Sequence, residues 1–373
     1  MQTQTHPLIS PTLGTARHLT SFHYGAGGGQ KIYIQSSLHA DELPGMLVSH
    51  VLRQKLAALE AAGKVRGEVV LVPVANPIGL NQHVHSHLAG RFEANSGQNF
   101  NRNFYDLAGL VQPVIEARLT PDVDENRQVI RRAMREGLDA QQPKNELESQ
   151  RLALQKLSYD ADVVLDLHCD WEAAMHIYTN PDIWPEVEPL ARYLDSKASL
   201  LALDSMGNPF DEIHSFIWSD LRSRYGDRFP IPNGSISVTI ELRGQPDVSY
   251  EFAERDAQGI IEYLTHRGVI EGTAARMPPL EFAATPLAGN EPLAAPITGV
   301  VVYRSAARVG TWVDAGTEIA DIVDPLTGQV VTLKNTVAGV LYARHSARFA
   351  TAGLEVARVA GAKAYRTGSL LSA

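Results

Sequence analysis

The sequence predicts an α/β fold, a mixed and largely parallel sheet flanked by helices, followed by a small all-β C-terminal domain. Three observations carry this. Runs such as Val69-Val70-Leu71-Val72 are apolar without alternation, as expected of strands covered on both faces. Between such runs, apolar residues recur at helical spacing. Past Arg276 a cluster of prolines gives way to β-branched runs divided by glycine turns, with little helical periodicity. The expected units are residues 1–276, a linker at 277–296, and a β unit at 297–373.

In chain order, residues 1–20 are polar and contain Pro7 and Pro11, and Gly25 to Gly29 mark a hairpin tip. A strand is expected over Lys31–Ser37, then a helix in which Leu43, Met46, Leu47, Val51, Leu52, Leu56 and Leu59 share one side up to Gly63. Gly67–Ala75 reads as a second strand, with Pro73 counting against full pairing. The segment Leu80–Leu107 is long and polar, and loops of that length in compact units are usually functional. Two helices are expected between Asp122 and Leu157, broken at Gln141-Gln142-Pro143. Strands follow at Ala161–Leu167 and Ala173–Thr179, and Pro185–Leu203 reads as mostly helical. More helix lies between Asp204 and Arg228, Ser235–Ile240 reads as a strand ending on Glu241, and Tyr250–His266 as a helix. The C-terminal part echoes itself: Ile297–Tyr303 with Val313-Asp314-Ala315-Gly316 resembles Val337–Tyr342 with Gly353.

With 373 residues, 44% hydrophobic and 20% charged, the chain is composed like an ordinary globular protein. A net charge of −9 argues against nucleic acid and anionic membrane as partners. One cysteine, Cys169, permits neither an intrachain disulfide nor a cysteine-based zinc cluster. The N-terminus lacks the pattern of a signal peptide and no apolar run is long enough to span a bilayer, so a cytoplasmic protein is expected. A homo-oligomer is left open.

Four expected strands end on residues with chemistry: His39, Asn76, His168 and Glu241. In open α/β sheets, ligands bind beyond the carboxyl ends of the strands. His39 is followed by Glu42, and two imidazoles with one carboxylate can hold zinc with a position open for water. Glu241, at the end of an apolar strand, is the candidate general base, its pKa raised by burial.

His39-x-x-Glu42, Arg91, Asn101-Arg102, Asp166-Leu167-His168 and Thr239-Ile240-Glu241 occur in an order that resembles the succinylglutamate desuccinylase/aspartoacylase family, within the zinc carboxypeptidase-like group. The resemblance covers about residues 20–270. It implies one zinc ion on His39, Glu42 and His168, with Glu241 as general base and Arg91 polarising the scissile carbonyl. Asn101 and Arg102 would hold a substrate carboxylate, a task that suits a planar guanidinium. The implied reaction is hydrolysis of an N-acyl amino acid or related small amine. A carboxypeptidase and a non-catalytic binding protein are the alternatives. Phe100 before the Asn-Arg pair and Cys169-Asp170-Trp171 after His168 depart from the family pattern. The C-terminal part resembles the barrel-sandwich domain of biotinyl and lipoyl carriers, but Asp324–Gly328, the turn between its halves, has no lysine, so a structural, capping or assembly role is expected.

Other residues read more plainly. His83, His85 and His87 are taken as solvated loop histidines, with a second metal site as the alternative. Cys169 reads as a buried bystander turned away from His168 by strand alternation. Asp170 is either a turn residue or a partner of a ligating histidine. Trp171 is taken as substrate-binding, with His176 and Tyr178 either lining the same pocket or simply packed. Asp166 reads as ending a hydrogen-bond pattern, and Arg243 as either reaching the site or capping a surface.

Overall fold

The structure, a computed structural model, describes residues 1–368 and 370. Residues 369 and 371–373 of the expected β unit lie outside the described residues. The chain begins with an antiparallel pair, β1 (Gln2–Pro7) and β2 (His18–Tyr24). β3 (Lys31–Ser36) leads to α1 (Pro44–Ala61), and β4 (Glu68–Val72) follows. A two-residue-strand hairpin, β5 (His83–Val84) and β6 (His87–Leu88), stands in the polar segment. Then come α2 (Leu107–Ile115), α3 (Val123–Asp139), α4 (Glu146–Ser158), β7 (Val163–Asp170), β8 (Glu172–Ala173), β9 (His176–Thr179), α5 (Trp184–Tyr193), β10 (Ala198–Leu201), α6 (Phe210–Tyr225), β11 (Ile236–Gly244) and α7 (Tyr250–His266).

The main sheet has the order β1-β2-β4-β3-β7-β11-β9-β10-β12, β12 being Thr285–Pro286. β4, β3, β7 and β11 run parallel, and β9 is antiparallel to β11. Strand alternation divides the core. Ile32, Ile34, Val163, Leu165 and Leu167 pack under α1, α5 and α7. Tyr33 and Val164 face the other way, toward α2, α3, α4 and α6. Each such side chain contributes about 1.5–3 kcal/mol through burial. Asp166 and His168 share the parity of Val164, and Cys169 that of Leu167.

Several sequence expectations need correction. Residues 198–201 form β10 rather than helix: a polar turn at Asp195-Ser196-Lys197 ends α5, and pairing with β9 overrides the helical reading. α2, unforeseen, is a short apolar helix that tolerates Pro113 inside it. Pro73 lies just beyond β4, so it removes no ladder hydrogen bond while β4 pairs on both edges. β11 runs on to Gly244, with an irregular register past Glu241 and Arg243 at φ 66°.

Two smaller antiparallel sheets hold the rest. One is β13 (Asn290–Ala294), β20 (Glu355–Gly361), β18 (Gly339–Arg344) and β15 (Thr311–Val313), with β8 added against β18. The other comprises β17 (Val330–Lys334), β16 (Glu318–Val323), β14 (Gly299–Tyr303) and β19 (Phe349–Ala350). Residues 277–296, expected as a linker, thus carry β12 of the main sheet and β13 of a small one.

Candidate metal centre

β3 stops where Ser37 takes φ 63°, a left-handed turn that throws the next residues over the sheet end. His39 and Glu42 follow before α1 begins with Pro44 at its first position. Gly45 explains how close α1 comes to β7: a Cβ there would lie 2.9 Å from the Leu167 carbonyl. That approach brings Glu42 against His168. The loop bearing Arg91 is fastened by Ala40 N–H donating to the Gly90 carbonyl at 2.9 Å, and a Cβ on Gly90 would meet the Asp41 nitrogen at 2.2 Å.

Three buried side chains converge. Glu42 Oε1 is 2.8 Å from His39 Nδ1, and Oε2 is 2.7 Å from His168 Nδ1. The Cys169 backbone N–H also donates to Oε2 at 3.1 Å. One ligand atom from each of His39, Glu42 and His168 lies within 4.8 Å of the others.

The outer nitrogens set the tautomers. Asn99 Oδ1 accepts from the Asn101 N–H at 2.8 Å and lies 2.8 Å from His39 Nε2, so that nitrogen carries the proton. Asp166 Oδ2 lies 3.1 Å from His168 Nε2. Both Nδ1 atoms face inward, toward Glu42. A histidine with its far nitrogen on a carboxylate or carbonyl oxygen is the arrangement metal-binding imidazoles use.

The electrostatics agree with a cation at this point. Burial, then Arg91, lowers His39 to about 4. For His168 burial works downward, but Asp166 and Glu42 outweigh it and raise the imidazole well above its usual value. Burial pushes the Glu42 carboxyl up, and the two imidazoles more than offset this, holding it below the ordinary carboxylate range. The donor set, two buried imidazoles and a buried carboxylate, fits zinc.

Around this group lies a cavity of about 280 Å³. Glu241 lines it, registered beside His168 on β7 and His176 on β9. Burial, then the Glu42 charge, drives its carboxyl well above the usual range, and its Oε2 has no hydrogen-bond partner among the described residues. Arg91 Nη1 sits 3.3 Å from both His39 Nδ1 and Glu42 Oε1. Asn101 gives its Oδ1 to the Phe210 N–H at the start of α6, which leaves Nδ2 for a ligand. Arg102 donates from Nη1 to the Asn101 carbonyl at 2.7 Å and lines the cavity, as does Trp171.

His83, His85 and His87 are exposed, as expected of solvated loop histidines. The hairpin turns at His85 and Ser86, pairing His83 with Leu88 and His87 with Val84, so His83 and His87 lie on opposite faces. Other readings change. Asp170 does not orient a ligating histidine. Its Oδ1 accepts from the Trp171 N–H and its Oδ2 from Arg358 Nη1, at 2.8 and 2.9 Å. Asp166 stands behind His168 rather than ending a hydrogen-bond pattern; its period-two spacing was the available signal. Arg243 reaches neither site nor surface and pairs with buried Asp256. Asn76 binds the Leu38 carbonyl and the Gly79 N–H, shaping the loop instead of the cavity. Asn99, Asp211, Glu212 and Arg358 at the site were not anticipated. Arg358 has no signal in sequence, being nearly 200 residues from His168.

The catalytic-domain pattern described as "Succinylglutamate desuccinylase/Aspartoacylase catalytic domain" matches residues 28–267. The chain belongs to that family. A succinylglutamate desuccinylase/aspartoacylase family protein from Shewanella amazonensis SB2B is 26% identical, with a TM-score of 0.84 over 96% of this chain and 98% of that one. A structure named for the same activities, from Shewanella frigidimarina NCIMB 400, gives 24% identity and a TM-score of 0.84 over 96% and 97%. The product-bound ectoine utilization protein EutE (DoeB) from Ruegeria pomeroyi shares the fold at 17% identity, with a TM-score of 0.65 over 95% and 93%. No curated protein sequence matches. Membership accounts for the mixed α/β sheet and places the chain in a deacylase family. No helix among the described residues is long and apolar enough to cross a membrane.

Proposed function

We propose that this protein is a zinc-dependent deacylase that hydrolyses the amide bond of an N-acyl amino acid or a related small amine. The observation that carries this reading is the convergence of His39, Glu42 and His168 in one small cavity with Glu241, Asn101 and Arg102. His39, Glu42 and His168 would hold the zinc ion, which supplies Lewis acidity: it acidifies water and polarises a carbonyl. Arg102 and Asn101 Nδ2 bind the substrate carboxylate and so orient the scissile bond. Arg91, beside Glu42, adds positive charge where the carbonyl oxygen becomes negative. Glu241 takes a proton from the attacking water and delivers it to the leaving nitrogen; its high proton affinity suits the second half of that task. Trp171 contributes an apolar wall. The small volume, and Arg358 from β20 in the cavity wall, favour a small substrate over a peptide. The test is turnover of N-acyl amino acids against short peptides by zinc-loaded protein. Cleavage of the acyl amino acids supports the assignment; hydrolysis of peptides alone, or of neither, overturns it.

A further inference from the structure

The β sheets after residue 290 send one charged side chain into the cavity. Arg358 of β20 is only 9% exposed. Its Nε donates to Glu355, its Nη1 donates to Asp170 Oδ2 at 2.9 Å, and the guanidinium lies 4.7 Å over the Trp171 ring. The third nitrogen, Nη2, has no hydrogen-bond partner among the described residues, although Arg358 lines the cavity. A buried guanidinium with an unused donor facing a cavity is prepared for an acceptor.

The charge balance says which acceptor. Arg358 is already flanked by two carboxylates, Asp170 and Glu355. A further carboxylate would meet net negative charge here, whereas a neutral oxygen takes the hydrogen bond without that penalty. Arg102 is elsewhere in the cavity. Its charged neighbours include Arg91, Asp211 and Glu212, none of which surrounds Arg358.

We propose that Arg358 is a specificity-determining residue whose Nη2 binds a neutral oxygen, an amide or similar carbonyl, on the acyl half of the substrate. The assignment to the acyl half rests on the proposed function, in which Asn101 and Arg102 hold the amino-acid half. Trp171 beneath the guanidinium and Tyr178 beside it complete a flat wall suited to a planar group.

The experiment uses three N-acyl amino acids sharing one amine half, with four-carbon acyl chains ending in a primary amide, a carboxylate or a methyl group. Turnover is measured on the zinc-loaded full chain, and binding by calorimetry on the Glu241→Gln protein. The amide-ended compound is expected to exceed the methyl-ended one by about tenfold in kcat/KM, mainly through KM, and to bind tighter than the carboxylate-ended one. Arg358→Lys, which keeps the pair with Asp170, should bring the amide-to-methyl ratio close to one. Glu355→Gln, outside the cavity, removes one compensating charge and should move preference toward the carboxylate-ended acyl group by about fivefold. A wild type that prefers the carboxylate or methyl end overturns the proposal, as do ratios that neither variant changes. If the binding order holds while no compound is hydrolysed, the deacylase reading fails and the Arg358 assignment stands.

Discussion

His39 and His168 reach the same carboxylate from different surroundings, and the difference predicts distinct phenotypes. His168 has Asp166 behind it and His39 has Asn99. His168→Ala should abolish metal retention, read as zinc per chain by elemental analysis; undiminished zinc would remove it from the ligand set. Asp166→Asn keeps the bond to Gln35 within reach but loses the anion behind the imidazole, so zinc affinity should fall about 10–100-fold in competition with a chelator while the fold persists. Glu241→Gln leaves the ligands untouched. It should keep zinc and lose about 100-fold or more in kcat, and full activity in that variant would exclude the base role.

The start of α1 and the start of α6 each carry a strain that a substitution reveals. Gly45→Ala places a Cβ against the Leu167 carbonyl and Ser36, which forces α1 away from β7 and takes Glu42 with it. A loss of about 1–3 kcal/mol in denaturant unfolding is expected, together with weaker zinc binding. At α6, burial and then Asp211 raise the Glu212 carboxyl from 4.5 to about 8. The folded state therefore binds this proton more tightly than the unfolded chain. Stability is lost as pH rises from about 4.5 to about 8, and the full cost is present above that window. Glu212→Gln should match wild type near pH 4.5 and melt higher by about 2 °C or more near pH 8.5. A melting difference that does not change with pH would refute this account.

Across the whole molecule, the four residues after Cys169 tie the main sheet to the later ones. Glu172 accepts from Arg344 and Arg348, β8 pairs with β18, and Trp171 packs 4.4 Å from His345. Tyr178, Ala198 and Leu200 of the main sheet share a cluster with Val340, Tyr342 and Ala343. Glu172→Gln weakens two partly exposed ion pairs and should cost about 1 kcal/mol, seen as a small drop in melting temperature that salt diminishes in wild type.

Much of this protein was legible in its sequence because the information is local. The apolar runs, the helical spacing of α1, α3, α4 and α7, and the break at Gln141-Gln142-Pro143 all arise from neighbours in the chain. The group His39, Glu42 and His168 was legible too, since His39 and Glu42 follow the end of β3, His168 lies near the end of β7, and sheets collect such ends on one side. The sequence alone determined the α/β class, the family, and the residue types at the centre. Tertiary structure alone decided which residues support that centre and close its cavity. Asn99 and Arg358 act through hydrogen bonds between segments distant in the chain, and no periodicity records such pairings. The short strand β10 was decided the same way, by a neighbouring strand whose ladder outweighs a weak local preference.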